Sequence, residues 1–367
     1  VRLHARVEGL KPEAQKVVLA SGETVPFDSL VMATGAAPRL PDVPALDIEG
    51  IFTLRNLADA LRIKRFIQER RARRAVAVGA GLVSLEMCEA FRSLGLETTV
   101  LARGARPVMR LPEDFSAKIV EELQANGVTF MPHVKLEGFD RSPGGVVVRT
   151  ENGTLEADLV IIAIGVKPEV RLAAEAGIAL GETGAIAVND RQQTNLPFAY
   201  AAGDCCESYH RISRKQVYIP LGDTANKQGR VAGANIGGQE VTFPGILGSQ
   251  CFKVFGLEVA GTGLNEDEAR KAGLAAATAT IQGVSRAHSY PSTKRLWLRL
   301  VADRGSGRLL GAQAVGGEGV VARINILAGA LAGGLSLEEV AYLDLAYAPP
   351  FSGAWDPIHI AAQQLLR

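Results

Sequence analysis

The chain is poor in cysteine. Its four, at positions 88, 205, 206 and 251, are scattered too unevenly for a disulfide framework. Long apolar runs are missing too, so no stretch reaches the length that spans a bilayer. The opening residues carry no signal-peptide pattern, and a reduced, cytoplasmic setting is expected. An excess of charge of one sign is also lacking. With a net charge of +1 and a pI near 7.8, nothing argues for a nucleic acid or an anionic membrane as partner. No metal site, short-period repeat or low-complexity segment is expected.

What is present points to layered α/β structure. At 367 residues the chain exceeds one ordinary core, and two or three domains are expected. Many of its 40 glycines end apolar runs, where a backbone turns tightly or approaches a ligand. Apolar β-branched runs alternate with helical segments through the first two-thirds, as in α/β layers around parallel sheets. The clearest unit is "RAVAVGAGLVSLEMCEAFRSLGLETTVLAR". Residues 75–78 read as a strand, a glycine turn follows, and Val83, Met87, Ala90, Phe91 and Leu94 mark one helix face. Gly95 ends that helix, and residues 98–101 form the next strand. Before it, "NLADALRIKRFIQERRARR" reads as a basic helix with Leu57, Ala60, Leu61 and Ile67 on its buried side. From about Pro244 the character changes: "CFKVFGLEVAGTG" and "RLWLRLVAD" read as antiparallel strands, and helices are expected over 319–332 and 336–343.

The turn "GAGLVS" has the dinucleotide fingerprint with its third glycine replaced by Ser84. Gly79 permits the tight turn, and Gly81 lets a pyrophosphate approach the positive helix N-terminus. The strand, helix and second strand around it supply the context the motif needs. An acid at the end of that second strand would bind the ribose 2′-hydroxyl of NAD. Here Ala102 stands there, followed by Arg103 and Arg106, which suits a 2′-phosphate and leans to NADPH.

"VPFDSLVMATGAAPRLPDVP" ends a strand in Ala33-Thr34-Gly35, and "TNLPFAYAAGD" ends another in Gly203-Asp204. A carboxylate so placed reaches a hydroxyl-bearing ligand beside a close-packed backbone. Together with "VIIAIGVKPE" and "LGDTANKQGRVAGANIGG", and in this order, these pieces resemble the pyridine nucleotide–disulfide oxidoreductases. The resemblance runs from about Val31 to Gly238, with an interface-type domain after it. It implies an α/β fold of two dinucleotide-binding (Rossmann-like) domains plus a C-terminal α+β dimerisation domain. The corresponding division is 1–55 with 186–243 for FAD, 56–185 for NAD(P)H and 244–367 for dimerisation. By the same resemblance Ala33, Thr34, Gly35, Gly203 and Asp204 lie along FAD. Gly79, Gly81, Ser84, Glu86, Ala102, Arg103, Arg106 and Gly165 serve NADPH or NADH, with Glu86 near the nicotinamide–flavin contact.

The tail narrows the branch. "AYAPPFSGAWDP" lacks the His-x-x-x-x-Glu element of glutathione- and lipoamide-type enzymes, and His359 is expected to be a packing residue. "YAPPFS" with "SYP" at 289–291 resembles instead the coenzyme A–disulfide reductases and the neighbouring NADH oxidases and persulfide reductases. There, two tyrosines of the partner subunit approach a single redox cysteine, and Tyr347 and Tyr290 are the matching positions. A phenol of pKa about 10 is protonated at neutral pH and can donate to a thiolate leaving group. Asn226 matches a position that contacts coenzyme A, whereas Trp355 stands where a lysine would meet its phosphate.

Adjacent Cα atoms lie ~3.8 Å apart, against the ~4.4–6.8 Å usual across a disulfide, so a Cys205–Cys206 bridge would need a distorted peptide. Both cysteines are expected to be buried and structural, as are Cys88 and Cys251. The family's own first strand–GxGxxG–helix and its reactive cysteine are not found, and "VRLHARVEGL" reads as opening in mid-strand. A fragment of a longer parent is therefore expected, with the nucleophilic cysteine upstream of Val1.

The implied parent is a homodimeric FAD enzyme taking hydride from NAD(P)H and reducing a small-molecule disulfide, coenzyme A disulfide first, or oxygen as an NADH oxidase or peroxidase does. A non-enzymatic dinucleotide-binding dimer and a one-electron-carrier reductase are the rival readings.

Overall fold

Residues 51–162 supply five short strands that form an all-parallel sheet in the computed structural model, which describes residues 1–367. The strand order is Ile51–Phe52, Leu159–Ile162, Arg74–Val78, Glu97–Leu101, Val128–Met131. Leu159–Ile162 and residues 75–78 of the neighbouring strand are apolar and buried because both faces of the sheet are covered. Ala75, Ala77, Val100, Leu159 and Ile161 feed one core, while Val76, Val78, Leu101, Val160 and Ile162 feed the other. Between Arg74–Val78 and Leu159–Ile162 the strand order reverses. Ligands bind at such switch points, outside the strands' carboxyl ends.

The sheet belongs to a unit of Pro38–Gly165 and Ser249–Arg367. The same unit holds the antiparallel strands Gln250–Val254, Leu257–Gly263, Leu309–Gly316, Arg295–Asp303 and Ala276–Val284, in that spatial order. Helices Val320–Gly333, Leu337–Ala341 and Pro357–Leu365 complete it.

A second unit comprises Val1–Ala37 and Val166–Gly248. It contains a three-stranded antiparallel sheet (Val7–Lys11, Lys16–Leu19, Thr24–Pro26), the parallel pair Leu30–Met32 with Ala199–Ala201, and helix Gly222–Ile236. Its core gathers Met32, Ala173, Ile178, Ile186, Ala199, Ala201, Cys205 and Cys206.

Several expectations differ from what forms. The opening strand starts at Val7, not at Val1. Residues 38–55 fall with the Gly79 sheet, because Ile51 and Phe52 pair with Val160 and Ile161. Residues 166–185 fall with the other unit, where Ala173 and Ile178 pack. Helix Leu57–Arg70 buries Asp59, Ile63 and Ile67 and leaves Leu57, Ala60 and Leu61 exposed. Its phase is set by the capping box of Asn56 and Asp59, whose carboxylate also accepts from Arg55 N and Arg62. Helix Leu82–Ser93 likewise buries Ser84, Leu85, Cys88 and Phe91 while Val83 and Leu94 face out. Small Ser84 and Cys88 let this helix sit close to the sheet.

Candidate active site

At the switch point the backbone leaves room for glycine alone. Gly79 has φ +106°, and a Cβ there would lie 2.4 Å from the Ala163 carbonyl oxygen. Gly165, exposed with φ +107°, follows the neighbouring strand, so both sit at one carboxyl edge of the sheet. Gly81 is the N-cap of helix Leu82–Ser93, makes no side-chain cap, and has no heavy atom within 4 Å of where its Cβ would be. The space beside Gly81 is thus open at the start of a twelve-residue helix whose first N–H groups no side chain caps, which fits a pyrophosphate. Glu86 is exposed one turn further on.

Ser84 is 0 % exposed and its hydroxyl has no hydrogen-bond partner. A small residue at this third position of the turn lets the helix pack closely on the sheet. Ala102 ends the second strand, buried, with its N–H donated to Met131 O. After it Arg103 is exposed, and Arg106 is half-buried with Nη1 3.9 Å from the Glu113 carboxylate. No acid stands at the strand end.

In the other unit, the paired strands Leu30–Met32 and Ala199–Ala201 put their carboxyl ends side by side, Met32 opposite Ala201. Ala33 and Thr34 are exposed there; Thr34 Oγ1 donates to Glu169 O (2.6 Å) and Glu169 N to Gly35 O (3.0 Å). Gly35 and Gly203 take φ of +70° and +84°. Asp204 is partly buried and its carbonyl accepts from the Tyr218 hydroxyl (2.8 Å). Helix Gly222–Ile236 begins nearby without a side-chain cap, and a Cβ on Gly203 would stand 3.3 Å from Ala225 Cβ. Tight glycines beside an uncapped helix start and a carboxylate fit a flavin dinucleotide.

Gln228 was not foreseen as a site residue. Buried on that helix, it accepts from Gly203 N (2.9 Å) and donates to Ser208 Oγ (3.1 Å), so it fixes the Gly-Asp turn. Its signal was the buried stripe Thr224, Gln228, Val231, Ala232, polar at its start. Asn226 lies elsewhere on the helix, where its Oδ1 accepts from Arg230 Nε (3.2 Å).

Cys205 and Cys206 are free and buried. A hydrogen bond from the Cys206 thiol holds Cys205 down to about 6, against burial and with help from Thr34 and Gly35. The same pairing and burial push Cys206 up. Enclosure denies either one a substrate. Burial pushes Cys88 up to about 12. Cys251 is exposed on an edge strand, contrary to its expected structural place.

The tyrosines stand on two loops of the C-terminal segment. Tyr347 is 52 % exposed and Tyr290 36 %. Ala287 N donates to Pro349 O (3.0 Å), tying one loop to the other. Arg286 lies 5.8 Å over the Tyr290 ring and pairs with Glu318. His359 is buried, stacked edge-on with exposed Trp355. No helix is long and apolar enough to cross a membrane.

Residues 1–229 match the family model described as pyridine nucleotide-disulphide oxidoreductase, and 249–357 match its dimerisation domain. An NAD(P)H sulfur oxidoreductase (CoA-dependent) of Pyrococcus furiosus is 39% identical over 368 residues, covering 100% of this chain and 83% of that protein. An NAD-dependent persulfide reductase from A. fulgidus superposes with a TM-score of 0.94 at 36% identity, over 98% of this chain and 68% of that one. An engineered water-forming NADPH oxidase bound to NADPH, made from a Lactobacillus brevis NADH oxidase, gives 0.93 at 26% identity, over 98% and 81%. Its substitutions include an aspartate to alanine followed directly by an alanine to arginine.

Proposed function

Because the chain belongs to the pyridine nucleotide-disulphide oxidoreductases, FAD-dependent enzymes that use NAD(P)H, we propose that it reduces the sulfur–sulfur bond of a small acceptor, coenzyme A disulfide or persulfide first. For a disulfide, NADPH, a proton and RSSR give NADP⁺ and two RSH; for a persulfide, RSSH gives RSH and H₂S. FAD, when bound, relays the electron pair between nicotinamide and acceptor. The chain's own parts bind and protonate. The 79–81 turn and its helix N-terminus hold one pyrophosphate, and Thr34, Gly35, Gly203 and Asp204 lie along the flavin. Tyr347 Oη, with Tyr290 on the loop tied to its own, donates a proton to the thiolate displaced when the family's single redox cysteine attacks the acceptor's sulfur–sulfur bond.

The observation that carries this reading is the joining of the two tyrosine loops through Ala287 and Pro349, with both phenols accessible. In a homodimer formed through the C-terminal segment, these phenols serve the partner's site. Asn226, exposed on its helix, is the residue offered to the coenzyme A portion. The test is steady-state NADPH oxidation by the flavin-loaded protein with coenzyme A disulfide, coenzyme A persulfide or oxygen as acceptor. A sulfur acceptor should give the highest kcat/KM, and oxygen leading would favour the oxidase reading.

NADPH is the proposed donor because no acid stands at the end of the second strand, where Ala102 is followed by Arg103 and Arg106; the engineered NADPH oxidase likewise carries adjacent aspartate-to-alanine and alanine-to-arginine substitutions. Restoring the acid while removing the cation, Ala102→Asp with Arg103→Ala, should raise KM for NADPH about tenfold or more, the worth of one charge-assisted hydrogen bond. KM for NADH should fall or hold. Equal effects on both donors would remove the 2′-phosphate reading.

A further inference from the structure

One guanidinium ties down both tyrosine loops. Arg323 is the single charged residue of helix Val320–Gly333 and is 4 % exposed. Its Nη2 lies 2.8 Å from Asp356 Oδ2, and its Nε donates to Asp356 Oδ1 at 3.2 Å, a bidentate fork. Nη1 donates to Gly319 O (3.0 Å), and Nη2 also reaches Ser285 O at 3.5 Å.

Ser285 opens the loop that carries Tyr290. That loop is closed at its base by Ser285 N donating to Lys294 O (2.8 Å) and Lys294 N donating to Ser285 Oγ (3.0 Å). Asp356 closes the loop that carries Tyr347. Its carboxylate caps helix Pro357–Leu365 through Ile358 N (3.0 Å) and accepts from Ser352 Oγ (2.8 Å). The far end of that loop is held by His359. Its Nδ1 accepts from Asp356 N (3.2 Å), which leaves Nε2 as the donor to Leu343 O (2.9 Å). The bond from Ala287 N to Pro349 O then links the loops midway.

A buried pair of this kind is a weak source of net stability, since desolvation offsets most of its attraction. Its geometry does something an apolar pair could not: it fixes three chain segments to one planar group. We propose that Arg323, through Asp356 and Ser285, is a positioning residue that sets the Tyr290 and Tyr347 phenols in register with each other. The proposal rests on the reading of Tyr347 as proton donor, and its test separates the two.

The full-length, flavin-loaded protein is compared as wild type, Arg323→Lys, Asp356→Asn and the apolar double variant Arg323→Met/Asp356→Leu. The last leaves no unpaired buried charge and protects against simple unfolding. Amide hydrogen exchange reads the positioning directly: residues 286–292 and 344–351 should lose protection together in the double variant while strand Arg295–Asp303 keeps its own. Flavin reduction by NADPH should be unchanged, and reoxidation by coenzyme A disulfide should slow about tenfold or more. Arg323→Lys, with its charge kept and its fork lost, should fall between. In a Tyr347→Phe background the Arg323 change should add little. Unchanged protection in either loop, or reduction and reoxidation falling in parallel, would overturn the proposal. A Tyr347→Phe variant with normal reoxidation, while both loops still loosen together, would remove the donor reading and leave Arg323 as an anchor of the loops only.

Discussion

Tyr347→Phe should slow reoxidation of the reduced flavin by coenzyme A disulfide about 10²-fold, the usual worth of a positioned proton donor, and leave flavin reduction by NADPH intact. The asymmetry follows from place. Tyr347 stands on a loop of the C-terminal segment, half out of the protein surface, whereas Gly79, Gly81 and Gly165, proposed to receive the nicotinamide cofactor, lie at the edge of the parallel sheet. The ring remains in the variant, so packing is preserved and only the Oη proton is lost. Tyr290→Phe should have a smaller effect in the same half-reaction. Rapid-mixing absorbance of the flavin separates the two halves, and unchanged reoxidation would dismiss the phenol from the chemistry.

Gly79→Ala and Gly81→Ala should fail in different ways, although the residues are two apart. At Gly79 the new methyl would lie 2.4 Å from the Ala163 carbonyl oxygen, at a φ of +106° that alanine rarely adopts. The turn must open, at a cost of roughly 2–3 kcal/mol or more. Thermal stability and flavin reduction by NADPH should fall together. At Gly81 the backbone is extended, φ −92° and ψ −175°, and the methyl meets no protein atom. Gly81→Ala should fold with nearly unchanged Tm. Its methyl instead occupies the space through which the pyrophosphate approaches, so KM for NADPH should rise about tenfold or more while kcat changes less. If Gly81→Ala lost stability as Gly79→Ala does, the open face at this helix start would not be a ligand site.

Much of the fold was legible in the sequence where one local pattern decides. The strand–glycine–helix run through residues 74–93 has a single reasonable folding, and its strand end without an acid was plain. From 250 onward the runs over 251–263 and 295–303 were legible as antiparallel strands, whereas Ala276–Val284 and Leu309–Gly316, rich in small residues and the latter buried throughout, were not. Helix phase was less legible. In 57–70 and 82–93 apolar residues occupy more than one face, so counting them cannot choose, and the choice fell to the Asn56–Asp59 capping box and to close packing at Ser84. Strand Ile51–Phe52 is two residues long, too short to announce which sheet it joins.

The supports of the site were the least legible. Gln228 lies on a helix rich in polar residues and Arg323 on a mostly apolar one, and either reads equally well as a solvated position. Only the fold brings Gly203 to Gln228, and Asp356, which is 33 positions away, to Arg323. A lone cation in an otherwise uncharged helix was the available clue to Arg323, and it gave no hint of the partner.

Electrons taken from NADPH are expected to leave through a sulfur–sulfur bond attended by Tyr347. The most direct measurement reduces the flavin-loaded protein anaerobically with one equivalent of NADPH, then mixes it with coenzyme A disulfide or with oxygen. Flavin reoxidation should be faster with the disulfide, with two thiols formed per flavin, and should slow in Tyr347→Phe. Faster reoxidation by oxygen, or reoxidation by the disulfide at the same rate without the phenol, would contradict it.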